Sequence, residues 1–73
     1  MPKLRVFSGQ ELQRLLERHG FVASRQRGSH VVMRKTTPEG SITTVIPEHD
    51  EVKVGTLRSI IRQSGLAREL FEK

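Results

Sequence analysis

The sequence predicts an α+β fold, a two-layer sandwich in which helices cover one face of a three-stranded antiparallel sheet. Three observations support this prediction. Near the N-terminus, a helix-capping signal precedes leucines at helical spacing. The middle of the chain is rich in β-branched residues and is divided by short turn signals. A second helical pattern follows and, like the first, ends at a glycine followed by an apolar residue.

The first helix is predicted over residues 9–19. Ser8 and Glu11 have the spacing of a capping box, in which each side chain bonds the backbone of the other residue. Gly20 is expected to end the helix in the left-handed conformation, with Phe21 packed back against the last turn.

Three strands are predicted next, over residues 21–26, 30–35 and 41–46. Gly28 and Ser29 form the first turn, residues 36–40 form a polar loop, and Pro47 stops the third strand. Because both connections are short, consecutive strands should pair in an antiparallel meander.

The last predicted elements are a helix that begins near Val54 and ends at Gly65, and a short helix over residues 66–71. No good capping residue precedes the short helix. Each long helix has one apolar face, so both should lie on the same side of the sheet and leave the other side open. The order of elements resembles the double-stranded-RNA-binding fold.

Length and composition restrict the class of protein. With 73 residues, the chain has room for one domain, residues 1–73. The absence of cysteine excludes disulfides, thiolate catalysis, cysteine-bound zinc and iron–sulfur clusters. No apolar run has the length of a membrane helix or a signal peptide, and we expect a soluble, cytoplasmic protein. The net charge of +5 favours a polyanionic partner such as nucleic acid.

His30 is the strongest candidate for a chemical role. Side chains alternate along a strand, so if Val31 and Met33 face the helices, His30 faces the open side. Basic residues lie close to it in the same hairpin, namely Arg25, Arg27, Arg34 and Lys35. An imidazole can exchange a proton with a ribose 2′-hydroxyl or a leaving oxygen, while cations hold the phosphate. From composition alone this signal is weak, because a histidine near arginines is usually an ordinary surface residue.

The second catalytic group and the hairpin register stay open at this point. Lys35, Arg34 or His49 could assist His30. A two-residue turn pairs Arg27 with His30, whereas a three-residue turn pairs Gln26 with His30. The apolar pattern favours the three-residue turn, which places Phe21 and Ala23 on the inner face. In either register His30 faces outward.

His49 lies among acidic residues, but the spacing of metal ligands is absent. A solvated acidic loop is the usual explanation of such a segment, and a supporting role beside the active site is the alternative. We expect neither a metal nor another cofactor.

Four elements follow one another along the chain: a helix ending in Gly20-Phe21, then Arg25-Gln26-Arg27-Gly28-Ser29-His30, then Val45-Ile46-Pro47-Glu48-His49, and then Val54-Gly55-Thr56-Leu57-Arg58-Ser59-Ile60-Ile61-Arg62-Gln63-Ser64-Gly65-Leu66. In this order and at this total length, they resemble the HicA toxins of bacterial type II toxin–antitoxin systems. The resemblance covers residues 8–71. The Gly-Ser-His element alone is unspecific, whereas the combination is specific.

The resemblance implies an mRNA interferase with a double-stranded-RNA-binding-like fold, held inactive by a HicB antitoxin. The catalytic histidine of the family falls on His30, preceded by the matching turn residues Gly28 and Ser29. Arg25 and Arg27 match basic positions expected to contact RNA. Ala67 departs from the family, in which a capping Ser or Thr is common, and this departure concerns the last helix only.

Two other functions compete with a ribonuclease toxin that uses His30. One is a non-catalytic RNA-binding module with the same fold and basic patch, which would have no need of the imidazole. The other is a small adaptor for an acidic protein, which would not bind RNA even at low salt, where phosphate contacts are strongest.

Overall fold

The computed structural model describes residues 2–73. Its elements are α1 (Gly9–Arg18), β1 (Val22–Arg27), β2 (His30–Thr37), β3 (Gly40–Pro47), α2 (Val54–Ser64) and a terminal 3₁₀ helix (Arg68–Phe71). The strands form one antiparallel sheet in the order β1-β2-β3. This architecture confirms the predicted α+β class. None of the helices within residues 2–73 combines the length and apolar character needed to cross a membrane.

The capping box predicted at the start of α1 is present. The Ser8 hydroxyl accepts a 3.1 Å hydrogen bond from the Glu11 amide, and the Glu11 carboxylate accepts one of 2.8 Å from the Ser8 amide. The bond from the Ser8 backbone, followed by that from its hydroxyl, lowers the pKa of the Glu11 carboxyl below its ordinary value of 4.5.

The end of α1 also follows the prediction, although the helix is one residue shorter, with His19 as its C-cap. Gly20 is left-handed at φ +95°. Its amide donates to the carbonyl of Glu17, and the Phe21 amide donates to that of Leu16 over 3.0 Å. These two bonds form the Schellman motif, which satisfies carbonyls at the helix end.

β2 and β3 are longer than predicted. β2 extends to Thr37 and β3 begins at Gly40, and these two residues pair with each other. Only Pro38 and Glu39 remain as the turn. The predicted polar loop is therefore mostly strand. The threonines of this segment explain the difference, because β-branched side chains favour extended backbone even when they are polar.

The preferred three-residue turn in the first hairpin is wrong. Arg27 pairs with His30, so Gly28 and Ser29 alone form the turn. The register shifts between Ala23 and Arg25, where a β-bulge adds one residue to β1. The bulge reverses the alternation along β1, and Ala23 therefore faces the helices as expected although the turn is tight.

The core lies between the helices and the sheet. Its buried apolar side chains are Phe7, Leu12, Leu16, Phe21, Val31, Met33, Ile46, Val52, Leu57, Ile60 and Phe71. Phe71, on the terminal 3₁₀ helix, is fully buried and packs edge-to-face on Phe7, with 5.9 Å between ring centroids. Its carbonyl accepts a 2.8 Å bond from the Arg5 amide, which joins the two ends of the chain. These contacts hold the 3₁₀ helix in place, although Ala67 provides no side-chain cap.

Candidate active site

The open face of the sheet carries His30 together with three arginines. Cross-strand partners in an antiparallel sheet share a face. Arg27 pairs with His30. Arg25 pairs with Val32, which lies two residues after His30 in β2 and therefore on the same face. Arg34 follows on this face, and His30 and all three arginines are exposed. The structure therefore places these four predicted site residues on one surface, which we call the basic face.

Lys35 is not part of the basic face. It pairs with Ile42 and lies on the helix side of β2, two residues beyond the buried Met33. Its ammonium group lies 5.9 Å from the ring centroid of Phe21, where it makes a cation–π contact. The set of basic residues predicted from proximity in sequence is thus divided between the two faces of the sheet, because alternation separates Arg34 from Lys35.

Gly28 and Ser29 shape the turn that precedes His30. Gly28 has φ +56° and Ser29 does not have a positive φ, which fits a type II′ turn with glycine first. The Ser29 carbonyl accepts a 2.6 Å hydrogen bond from the Glu48 amide. The Gln26 amide nitrogen lies 3.3 Å from both the Gly28 carbonyl and the Glu48 carboxylate. The turn is therefore tied to the segment that follows β3.

That segment carries His49 and is also attached to the start of α1. Gly9 provides the attachment, because its amide donates to the His49 carbonyl. A Cβ on Gly9 would collide with the Pro47 carbonyl oxygen and would lie 3.0 Å from the Glu48 Cα. Only glycine allows this close approach.

His30 and His49 line the same cleft, of about 430 Å³, which we call the histidine cleft. Its other walls are formed by Val45, Pro47, Lys53 and Thr56. The cleft thus combines two imidazoles with the Lys53 ammonium, just before α2. These groups can exchange protons and hold an anionic oxygen.

Lys53 is a residue of the cleft that was not predicted from the sequence. Lys53 lies in a polar link that carried no signal of its own. Its position at the N-cap of α2 was the one sign of a role, because its side chain does not cap the helix. The positive end of the helix dipole adds to the positive charge of Lys53 there.

Arg25 and Arg34 form a second concavity on the basic face, of about 350 Å³, with Ser24, Val32 and Thr43. Two cations on an open, grooved surface suit the phosphates of an extended strand. Within residues 2–73, no group of three or more histidine and acidic side chains is arranged to hold a metal ion.

The family model for the HicA toxin of bacterial toxin–antitoxin systems matches residues 9–66. The match includes every residue of the basic face and both histidines of the cleft. A search of the curated proteins found no significant match. Because the family model spans most of the chain, the protein belongs to the HicA family of toxins, as the motifs indicated.

Proposed function

We propose that this toxin is a metal-independent endoribonuclease that cleaves mRNA in the cytoplasm and uses His30 as a proton-transfer group. The observation that carries the proposal is the histidine cleft, in which His30 and His49 lie together at the edge of a surface with three arginines. Membership of a toxin family supports it, because destruction of mRNA would make the protein toxic.

The proposed reaction needs one base and one acid. The base removes the proton from a ribose 2′-hydroxyl, whose oxygen attacks the adjacent phosphorus. The bond from phosphorus to the 5′-oxygen breaks, and the acid gives that oxygen a proton. The products are a 2′,3′-cyclic phosphate and a 5′-hydroxyl, and no net proton is gained or lost. Both proton transfers fall within the range of histidine near neutral pH.

We assign the second proton-transfer role to His49 and not to the two alternatives. An arginine side chain has no basic site to accept a proton, which excludes Arg34 as the base. Lys35 lies on the opposite face of the sheet. His49 lines the same cleft as His30, and its loop is held by two backbone hydrogen bonds, from Gly9 to His49 and from Glu48 to Ser29.

The substrate is held through its phosphates. Arg25, Arg27 and Arg34 project from the basic face and offer paired donors to phosphate oxygens. The backbone of the turn at Gly28 and Ser29 is exposed, so an RNA strand can approach it closely. The Lys53 ammonium is suited to offset charge that develops on the scissile phosphate.

The antitoxin in this proposal is a HicB-type protein that covers the basic face and the histidine cleft with acidic groups. Charge complementarity of this kind directs association. Arg27→Glu should therefore weaken antitoxin binding by at least tenfold in a folded protein, measured by calorimetry. Binding as tight as that of the wild type would contradict the proposed interface.

The test of the enzymatic proposal is cleavage of a defined mRNA by purified protein in the presence of EDTA. Wild type should cut, and His30→Ala should not, although it folds and binds RNA. His19→Ala is the matched control. His19 caps the far end of α1, a helix of 10 residues and therefore about 15 Å long. If neither wild type nor His30→Ala cuts and both bind RNA equally, the protein is an RNA-binding module.

A further inference from the structure

We propose that Val32 and Val45, which we call the valine pair, form an apolar platform on which an unpaired base of the RNA packs. This inference rests on the proposed function, because it concerns the RNA that the basic face would hold. It adds a contact to the bases, whereas the arginines contact phosphates. It also restricts the substrate to single-stranded RNA, because only an unstacked base presents its face to a protein.

The valine pair lies on the open face of the sheet. Val32 in β2 and Val45 in β3 are cross-strand partners, so their side chains share a face. The residues on either side of each valine are buried, among them Met33 and Ile46. Because side chains alternate along a strand, both valines point away from the helices. Val45 is 42% exposed. The valine pair therefore presents an apolar surface that the core of the domain does not use.

The valine pair also lies between the two concavities of the open face. In β2, His30 comes two residues before Val32 and Arg34 comes two residues after it, about 7 Å away on each side. Val45 lines the histidine cleft. Val32 lines the groove that contains Arg25 and Arg34. An RNA strand that runs from the groove to the cleft therefore passes over the valine pair.

Arg25 places a positive charge directly beside the valine pair. It is the cross-strand partner of Val32 in β1, so a row across the sheet contains one cation followed by two apolar side chains. Neighbouring strands are about 4.8 Å apart, which makes this row about 10 Å long. A nucleotide is divided in the same way, into an anionic phosphate and a base with apolar faces. A phosphate held by Arg25 therefore has its base within reach of the valine pair.

Aromatic side chains do not serve this purpose in this protein. Proteins that bind single-stranded RNA usually stack its bases on aromatic rings. This chain has neither tyrosine nor tryptophan, and its three phenylalanines, Phe7, Phe21 and Phe71, are all buried in the core. The valine pair is the apolar surface that borders both concavities of the open face.

The chemistry of the valine pair determines what it recognises. An aliphatic side chain has no hydrogen-bond donor or acceptor with which to read the edge of a base. Every base has an apolar face, so contact with that face is tolerant of sequence. The platform should therefore contribute affinity for unpaired bases in general, and a single base such as uracil suffices to test it.

The experiment separates the bases of an RNA from its phosphates. Two fluorescent 2′-O-methyl hexamers are titrated with the protein and followed by anisotropy. One carries uracil at every position, and the other has the same sugar–phosphate backbone without bases. Neither has the attacking 2′-hydroxyl, so both remain intact. Wild type should bind the uracil hexamer about tenfold more tightly, because each valine contributes about fourfold when a base removes one of its methyl groups from water.

Val32→Thr and Val45→Thr test the platform directly. Threonine keeps the branched shape and the strand preference of valine but replaces one methyl group with a hydroxyl. Each variant should bind the uracil hexamer about fourfold more weakly than wild type, with unchanged affinity for the hexamer without bases. Val6→Thr is the matched control, because Val6 is 67% exposed and lies outside the sheet. It should bind both hexamers as wild type does.

Two results would overturn the platform and leave the cleavage proposal intact: equal binding of the two hexamers by wild type, or threonine variants that bind the uracil hexamer as tightly as wild type. If the variants lose affinity only for the HicB-type antitoxin, measured by calorimetry, the valine pair belongs to a protein interface and the inference is wrong. If wild type binds neither hexamer at low salt, where phosphate contacts are strongest, the proposed RNA-binding function fails and the platform fails with it.

Discussion

The Gly9 amide donates a 2.9 Å hydrogen bond to the His49 carbonyl, which joins the first turn of α1 to the loop of the histidine cleft. Phe7 makes a similar contact two residues earlier, where its carbonyl accepts a 2.8 Å bond from the Val52 amide. The loop between β3 and α2 is thus aligned along the start of α1. The geometry of the cleft therefore depends on a residue outside it.

Gly9→Ala should lower the rate of RNA cleavage much more than RNA affinity. The added methyl group displaces the backbone of Pro47 and Glu48, and a displacement of about 1 Å at a catalytic group can cost about 100-fold in rate. Gly55→Ala is the control, because a Cβ on Gly55 meets nothing within 4 Å. Equal single-turnover rates for the two variants would contradict a positioning role for Gly9.

His49→Ala should reduce the cleavage rate by about 100- to 10,000-fold, the usual contribution of one general acid or base. RNA affinity should stay within twofold of wild type. The rate of wild type should show a bell-shaped dependence on pH, whereas His49→Ala should lose one limb of the bell. Single-turnover rates from pH 5 to 9 check this, and an unchanged profile would remove His49 from the mechanism.

The basic face should determine how RNA binding responds to salt. Each phosphate contact contributes about 0.7 to the slope of log affinity against log salt concentration for a single strand. Arg34→Ala should lower that slope by about this amount. Lys35→Ala, its neighbour on the other face of the sheet, should leave the slope unchanged. Anisotropy titrations in 50 to 300 mM NaCl compare the two, and equal losses would contradict the assigned faces.

The capping box should make part of the stability dependent on pH. The pKa of Glu11 is lower in the folded chain than its ordinary value of 4.5, so the unfolded chain binds its proton more readily. The stabilisation from Glu11 is therefore complete above pH 4.5 and is lost as the pH falls through the folded pKa. Glu11→Gln should flatten the decline of unfolding free energy between pH 5 and 3, measured by urea denaturation.

Ser8→Ala provides the control for that prediction. It removes the hydroxyl that caps α1, which costs about 1 kcal/mol. The hydroxyl, after the Ser8 backbone, is also the second-largest contribution that lowers the pKa of Glu11. The pH dependence of Ser8→Ala should consequently lie between those of wild type and Glu11→Gln. A decline as steep as that of wild type in both variants would contradict the assigned role of Glu11.

The fold was predictable where its signals are local. The capping box at Ser8, the left-handed Gly20 and Gly65, and the alternation of Val31 and Met33 are short-range patterns, and the structure contains each of them. The first hairpin differs because the β-bulge near Ser24 has no residue signature in this chain. It combines the tight turn with the placement of Ala23 opposite Met33, on the helix side of the sheet.

The candidate site was predictable in part. Alternation along β2 places His30 on the open face, whereas Lys35, which was grouped with the arginines because they are close in sequence, lies on the other face. The meeting of His30 with Lys53 depends on contacts between segments more than twenty residues apart in sequence. Such contacts are determined by the packing of the whole domain, and no local sequence pattern predicts them.

The chemistry of the cleaved ends tests the central claim most directly. Wild type is incubated with a defined mRNA in EDTA, and the fragments are analysed by mass spectrometry. Proton transfer at the histidine cleft predicts fragments with 2′,3′-cyclic phosphate and 5′-hydroxyl ends. The His30→Ala variant should produce no such fragments. Fragments with 3′-hydroxyl and 5′-phosphate ends would contradict the account, because water and not the 2′-oxygen would then have attacked the phosphorus.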